Sequence, residues 1–194
     1  MSIEFRNVSF SYKEKDIIRN WSFTIPKTGV LCFFGPSGCG KTTIFRLLCG
    51  LEKPSKGQMV NLPKKFSVVF QEDRLLPWKT VAENIEITGQ NAESVLKLVG
   101  LSDVSDEPIS SLSGGMARRV AIARAIGYPG DILLLDEPFT GIEEEKIDIL
   151  AEYILHLAKS IPVLLITHKE EEAKRLNAMT INLSEIDAFP LAKS

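Results

Sequence analysis

An apolar run, Val30-Leu31-Cys32-Phe33-Phe34, leads into Gly35-Pro36-Ser37-Gly38-Cys39-Gly40-Lys41-Thr42, and a helically spaced stretch follows from Thr43 to Cys49. This order constrains the fold more than any other feature of the chain. A continuous apolar run that ends at glycine is the pattern of a strand buried on both faces, and such strands belong to parallel sheets covered by helices. The loop fits G-x-x-x-x-G-K-[ST]. Its glycines let successive backbone N–H groups turn inward around an anion. The helix behind it adds the positive end of its dipole. Lys41 then reaches the β- and γ-phosphates of a nucleotide, and the Thr42 hydroxyl suits Mg²⁺. A glycine-rich turn that binds nothing would need neither the strand before it nor the helix after it.

The rest of the chain reads as the same kind of fold. Residues 3–25 alternate through Ile3, Phe5, Val8, Phe10, Ile17, Ile18, Trp21, Phe23 and Ile25, with a polar turn at Lys13-Glu14-Lys15-Asp16. That pattern predicts antiparallel strands joined by a hairpin. Apolar runs of the parallel type cover residues 30–34, 66–70, 132–135 and 163–166, and residues 180–183 add a last strand. From about 80 to 127 the spacing turns helical, as at 92–99 and 114–126. A charged helix over 169–176 has a solvated face. We therefore expect one α/β domain over 1–194: a mainly parallel core sheet, an N-terminal antiparallel β subdomain, and a short helical subdomain at about 75–127.

Polar residues stand at the ends of the buried runs. Gly35 follows the first, Gln71 the second, Asp136-Glu137 the third and Thr167-His168 the fourth. In open α/β sheets, ligands bind beyond the carboxyl ends of the strands, so these residues are expected to converge on one edge. Two adjacent acids suit a division of labour. One carboxylate can hold Mg²⁺. The other can orient, or take a proton from, a water attacking the γ-phosphate. A metal-bound carboxylate is a poor base, so the two tasks need two groups.

The 194 residues allow a sizeable core. A formal net charge of −2 gives no electrostatic reason for a nucleic-acid partner. No apolar stretch approaches the ~20 residues of a membrane helix, and residues 1–6 have no signal-peptide pattern. A cytoplasmic location is the expectation. Cys32, Cys39 and Cys49 fit no zinc spacing and are expected to be reduced thiols. Cys39, at converging N–H groups, has two readings: a reactive thiol that blocks the nucleotide site when alkylated, or a small residue that fits the loop.

Leu112-Ser113-Gly114-Gly115-Met116 opens a second helix that begins Ala117-Arg118-Arg119. Its serine cap and glycines make another helix start able to meet phosphate. Here the sequence resembles the ATP-binding-cassette (ABC) ATPases, a family of P-loop NTPases with a RecA-like core, over residues 3 to 184. The resemblance implies roles by position. Tyr12 matches the aromatic that stacks on adenine. Gly35, Pro36, Ser37, Gly38, Cys39, Gly40, Lys41, Thr42 and Thr43 match the loop around the ATP phosphates. Gln71 matches the glutamine that reaches Mg²⁺ and the attacking water. Asp136 matches the Mg²⁺ acid, with Thr42 beside it, and Glu137 the catalytic base. His168 matches the histidine on the γ-phosphate. Ser113, Gly114 and Gly115 match the signature that closes over ATP held by the opposite subunit. Two copies would then face head to tail with two ATP molecules between them.

Two positions depart from the family pattern. Met116 stands where a glutamine is usual, and Thr140-Gly141-Ile142-Glu143 replaces a Ser-Ala-Leu-Asp-like turn. Both bear on turnover and subunit coupling more than on ATP binding. The stretch from Gln71 to Asn84, with Leu75-Leu76-Pro77-Trp78, looks like the corresponding segment of bacterial importers for nitrate, sulfonate, taurine and thiamine-precursor-type solutes. Its apolar residues suit a docking groove for transmembrane permease subunits, although a local cluster under the helical subdomain would use them equally well. The implied protein is an importer ATPase peripheral on the inner face of the membrane, in a system with an extracytoplasmic solute-binding protein. The alternatives are an ABC ATPase driving lipoprotein extraction or cell division, a soluble one of DNA repair or translation, and a nucleotide-binding module that does not hydrolyse. Glu137 and His168 argue against the last.

Overall fold

The computed structural model describes residues 2–192. Two sheets form. The first is antiparallel, in the order β2-β1-β4, from β1 (Ile3–Tyr12), β2 (Lys15–Ile25) and β4 (Lys56–Val60). The second is parallel, in the order β5-β6-β7-β3-β8, from β3 (Gly29–Phe34), β5 (Phe66–Val69), β6 (Ile132–Asp136), β7 (Pro162–Ile166) and β8 (Met179–Asn182).

The first sheet explains an irregularity in the sequence pattern. The buried residues of β1 are Ile3 and Phe5, then Val8 and Phe10, a change from odd to even. A strand keeps one parity unless a residue is inserted. The register with β2 shifts between Phe5 and Val8, and Asn7 there adopts φ 52, a left-handed conformation that Asn tolerates. Gly57 of β4 (φ +76) passes so near this bulge that a Cβ would lie 2.2 Å from the Asn7 carbonyl oxygen.

Strand alternation divides the core of the second sheet in two. Leu31 and Phe33, Ile132 and Leu134, and Leu164 and Ile166 face the first sheet and helix α1 (Lys41–Leu48). Val30 and Cys32, Leu133 and Leu135, and Val163 and Leu165 face the remaining helices. Those helices are α2 (Val81–Glu86), α3 (Ala92–Val99), α4 (Gly114–Gly127), α5 (Glu144–Ala158) and α6 (Glu170–Arg175). Burial on both faces is why these strands read as unbroken apolar runs. Helix α4 buries residues almost all round, from Arg118 through Ile126, because α2, α3 and β5 surround it.

Strand β4 and helix α5 are additions to the elements expected from sequence. The edge strand has no fully buried residue and so no alternation to read. Helix α5 does carry a signal, with Ile147, Leu150, Ala151, Ile154 and Ala158 buried at helical spacing. Helix α2 starts at a capping box: Thr80 Oγ1 accepts from the Glu83 N–H at 3.2 Å, and a Glu83 carboxylate oxygen accepts from the Thr80 N–H at 2.8 Å. Asn84, fully buried, bonds Leu76 N–H (2.8 Å), Leu76 O (3.1 Å) and Thr80 O (2.9 Å), and so fixes the turn before the helix. That turn holds Trp78 75% exposed.

Candidate active site

The strand order brings the polar strand ends together. β5, β6, β7 and β3 are successive neighbours, so Gln71, Asp136-Glu137, Thr167-His168 and Gly35 lie along one edge of the sheet. The loop from Gly35 to Gly40 is built on left-handed backbone at Gly35 (φ 151), Gly38 (φ 78) and Gly40 (φ 114), which side chains disfavour. Gly40 is the N-cap of α1 and offers no side-chain cap, so the helix start is open to an anion. Lys41 folds over its own loop. Its ammonium donates to Gly35 O at 2.6 Å and Pro36 O at 2.8 Å.

Cys39 packs into the core rather than facing a ligand. It is completely buried, with its Sγ 3.0 Å from where a Gly35 Cβ would stand. This geometry supports the loop-packing reading over the reactive-thiol one. Burial holds the thiols of Cys32 and Cys49 in their neutral form, with Cys32 pushed up to about 12 and Cys49 to about 11.

The adjacent acids occupy different environments. Asp136 is buried, and Thr42 Oγ1 donates to its Oδ2 at 3.3 Å. Burial raises its pKa above the ordinary range; the Thr42 hydrogen bond opposes that, and the neighbouring Glu137 charge adds to it. Glu137 meets His168, with Oε1 and Nδ1 2.8 Å apart. Its backbone is left-handed, at φ 48. Such a conformation costs ~1–3 kcal/mol in a non-glycine residue, and two anchors hold it: the Glu137 N–H donates to Ile166 O at 2.9 Å, and the Glu137 carbonyl accepts from Arg118 at 2.7 Å. Behind the histidine, the buried Thr167 hydroxyl donates to the buried carboxylate of Glu172 at 2.7 Å, and the Lys169 N–H donates back to Thr167 Oγ1 at 3.1 Å. The site therefore pairs a buried carboxylate beside a hydroxyl with a second carboxylate beside an imidazole.

Arg118, absent from the residues singled out in the sequence, ties these parts together. It is 4% exposed. Its guanidinium donates to Phe70 O (2.6 Å), Gln71 O (3.3 Å), Asp136 O (2.7 Å), Glu137 O (2.7 Å), Pro138 O (2.9 Å) and the Asp73 carboxylate (3.0 Å). In sequence it is one of three arginines of the same helix, with Arg119 and Arg124, and nothing in the spacing singles it out. Gly115 also has a tertiary reason: a Cβ there would stand 2.5 Å from Gly141 O. Ser113 caps α4, accepting from the Met116 N–H at 3.2 Å. Ser113 and Gly114 are exposed, and among the described residues no hydrogen bond joins them to the phosphate loop. Gln71 is likewise exposed.

Tyr12 stands beside the loop. With Lys15, Ile17, Gly38, Gly40, Lys41, Thr42, Thr43 and Leu191 it lines a cleft of about 380 Å³. Its ring is edge-on to Phe10 at 4.7 Å, and its hydroxyl lies 3.4 Å from a Glu52 oxygen. A larger groove of about 860 Å³ lies between Gly29, Leu98, Ile126 and α5 and contains none of these residues. Among the described residues no helix is long and apolar enough to cross a membrane.

Comparison with known proteins agrees with this geometry. The family model described as ABC transporter matches residues 18–140. An aliphatic sulfonates import ATP-binding protein of Pseudomonas syringae pv. tomato is 37% identical over 169 residues, covering 83% of this chain and 73% of that protein. One from Paraburkholderia xenovorans is 38% identical over 189 residues, covering 91% and 74%. Among solved structures, the dimeric post-hydrolysis state of the ATP-binding cassette MJ0796 bound to ADP and Pi superimposes with a TM-score of 0.80 at 25% identity, over 93% of each chain.

Proposed function

The chain belongs to the ABC transporter family as an ATP-hydrolysing subunit, and on that premise we propose that it powers import of a small organic or inorganic solute through a separate transmembrane permease. The relatives named for aliphatic sulfonate import support this reading, because this chain spans nearly three quarters of their length. The exposed Trp78, on a turn fixed by Asn84, supplies a rigid apolar projection for the permease to cover. The subunit would then sit peripherally on the inner face of the membrane, in a system served by an extracytoplasmic solute-binding protein. Residues 1–194 act as one ATPase domain, with 75–127 as its helical part.

The observation that carries the mechanism is the convergence at one sheet edge of Lys41, the Thr42–Asp136 pair and the Glu137–His168 pair. Tyr12 stacks on adenine, and residues 35–43 hold the phosphates. Lys41 exchanges its two carbonyl partners for the β- and γ-phosphates. Thr42 Oγ1 and Asp136 Oδ2 are hard oxygen donors 3.3 Å apart, and the Asp136 carboxylate is buried at the end of β6. These two, with Gln71, fit Mg²⁺ and would hold it through oxygen donors. When bound, the ion would supply neutralisation of the β- and γ-phosphate charge. Glu137 accepts the proton of the attacking water. His168 lies against the same carboxylate and orients it, within reach of the γ-phosphate. Ser113, Gly114 and Gly115 of a second copy close over that phosphate, so each ATP joins two helix N-termini.

Glu137→Gln keeps the size of the side chain and removes the base. The variant should bind ATP, lose hydrolysis, and run as a dimer with Mg-ATP in gel filtration, whereas the wild type hydrolyses ATP and runs as a monomer. Wild-type turnover by the variant would overturn the role given to Glu137. A variant that binds ATP yet stays monomeric at high concentration would overturn closure of the pair by ATP alone.

A further inference from the structure

The segment after β8 is the part of the chain that the catalytic motifs leave without a task, and its Leu191 reaches the cleft beside the phosphate loop. Leu183, fully buried, packs against the start of the phosphate loop: a Cβ on Gly35 would meet its Cβ at 3.6 Å. The chain then crosses to the edge strand of the first sheet, where Ala188 O accepts from the Arg19 N–H at 2.8 Å. Phe189 is completely buried. Its ring meets Trp21 edge-on at 5.1 Å and lies 3.3 Å from where a Gly40 Cβ would stand. A 3-10 turn, Pro190–Ala192, follows, and its Leu191 lines the same cleft as Tyr12, Ile17, Gly38 and Gly40.

We infer that residues 186–191 form a built-in wall of the nucleotide site, in which Leu191 gives the base an apolar contact beside Tyr12 and Ile17. This inference rests on the nucleotide reading of the cleft and extends it to residues outside the family's motifs. The wall is preformed. The main-chain bond to Arg19 and the burial of Phe189 fix it from the side away from the cleft, so it needs no ordering when the base arrives. Its contribution is dispersion and removal of water from the purine face. Leucine has no donor or acceptor for the base edge, so adenine and guanine gain equally. A triphosphate without a base gains nothing.

The test compares ATP, GTP and inorganic tripolyphosphate by calorimetric titration of the full chain and of Leu191→Ala. Leu191 is partly exposed, so this change spares the fold, and an unchanged thermal midpoint checks that. Loss of roughly 40 Å² of apolar contact corresponds to about a five-fold rise in Kd. The expected result is that rise for ATP and for GTP, no change for tripolyphosphate, and near wild-type affinity for Leu191→Met. Unchanged or tighter ATP binding by Leu191→Ala would overturn the inference, the latter by making the segment a cover rather than a wall. An equal loss for tripolyphosphate would also overturn it, because the effect would then lie in the phosphate loop. A wild-type chain that binds tripolyphosphate but shows no gain from the base would defeat the base contact alone. One that binds none of the three would defeat the nucleotide reading and the inference with it.

Discussion

Replacing Arg118 by methionine tests whether one buried side chain holds the catalytic edge in register. The guanidinium donates to five main-chain carbonyls, at the ends of β5 and β6, and to the Asp73 carboxylate. Methionine fills comparable space and donates nothing. Hydrogen bonds to charged groups are each worth ~1.5–3 kcal/mol, but they share one side chain, and removing it also removes the cost of burying a charge. A net loss of ~3–5 kcal/mol follows, a large part of the ~5–15 kcal/mol that a domain possesses. For a chain of this length that lowers the thermal midpoint by about 6–20 °C. Arg118→Lys restores the charge but not the fork, and should recover less than half of the loss. Circular dichroism melts of the three proteins measure this directly. ATP turnover at a temperature where all three are folded should fall further than stability alone requires, because the Asp136, Glu137 and Gln71 carbonyls lose their common donor. A melt of Arg118→Met within about 2 °C of wild type would refute the reasoning, since it would place the net worth of those bonds below ~1 kcal/mol.

Two further outcomes follow from the same coordinates. Asp136 has a raised pKa, chiefly from burial; its ionisation therefore opposes folding, and the fold loses stability as pH rises from the ordinary carboxyl value of 3.8 through the raised one. Asp136→Asn should thus be more stable than wild type in urea at neutral pH, lose that advantage below pH 3.8, and bind Mg²⁺-ATP with no preference over metal-free ATP; an advantage that persists in acid would refute the assignment. Gly115→Ala places a methyl group 2.5 Å from Gly141 O and should cost ~1–3 kcal/mol in urea unfolding, whereas Gly114→Ala meets nothing within 4 Å and should leave stability unchanged or slightly raised, so that any loss of ATP-dependent pairing in it reports contact with the second copy.

The sequence by itself determined the local parts of this protein. The apolar runs at 30–34, 66–70, 132–135 and 163–166 are all strands of the parallel sheet, and the helices at 92–99 and 114–126 stand where their spacing put them. These were legible because burial on one face or two leaves a period in the chain itself. The polar strand ends were legible for a related reason, since an acid directly after a buried run has no role in the core. Tertiary structure alone decided which surfaces meet. Arg118 reads in sequence as an ordinary helix residue, and only the packing of α4 against β5 and β6 shows its carbonyl acceptors. The glycine at 115 needs the Gly141 carbonyl beside it to be understood. The parity change in β1 needs the bulge at Asn7, and Leu191 stands in the cleft beside Tyr12 on a turn whose Phe189 packs beneath Gly40. Spacing records how much of a residue is buried, but it carries no record of which distant atom buries it.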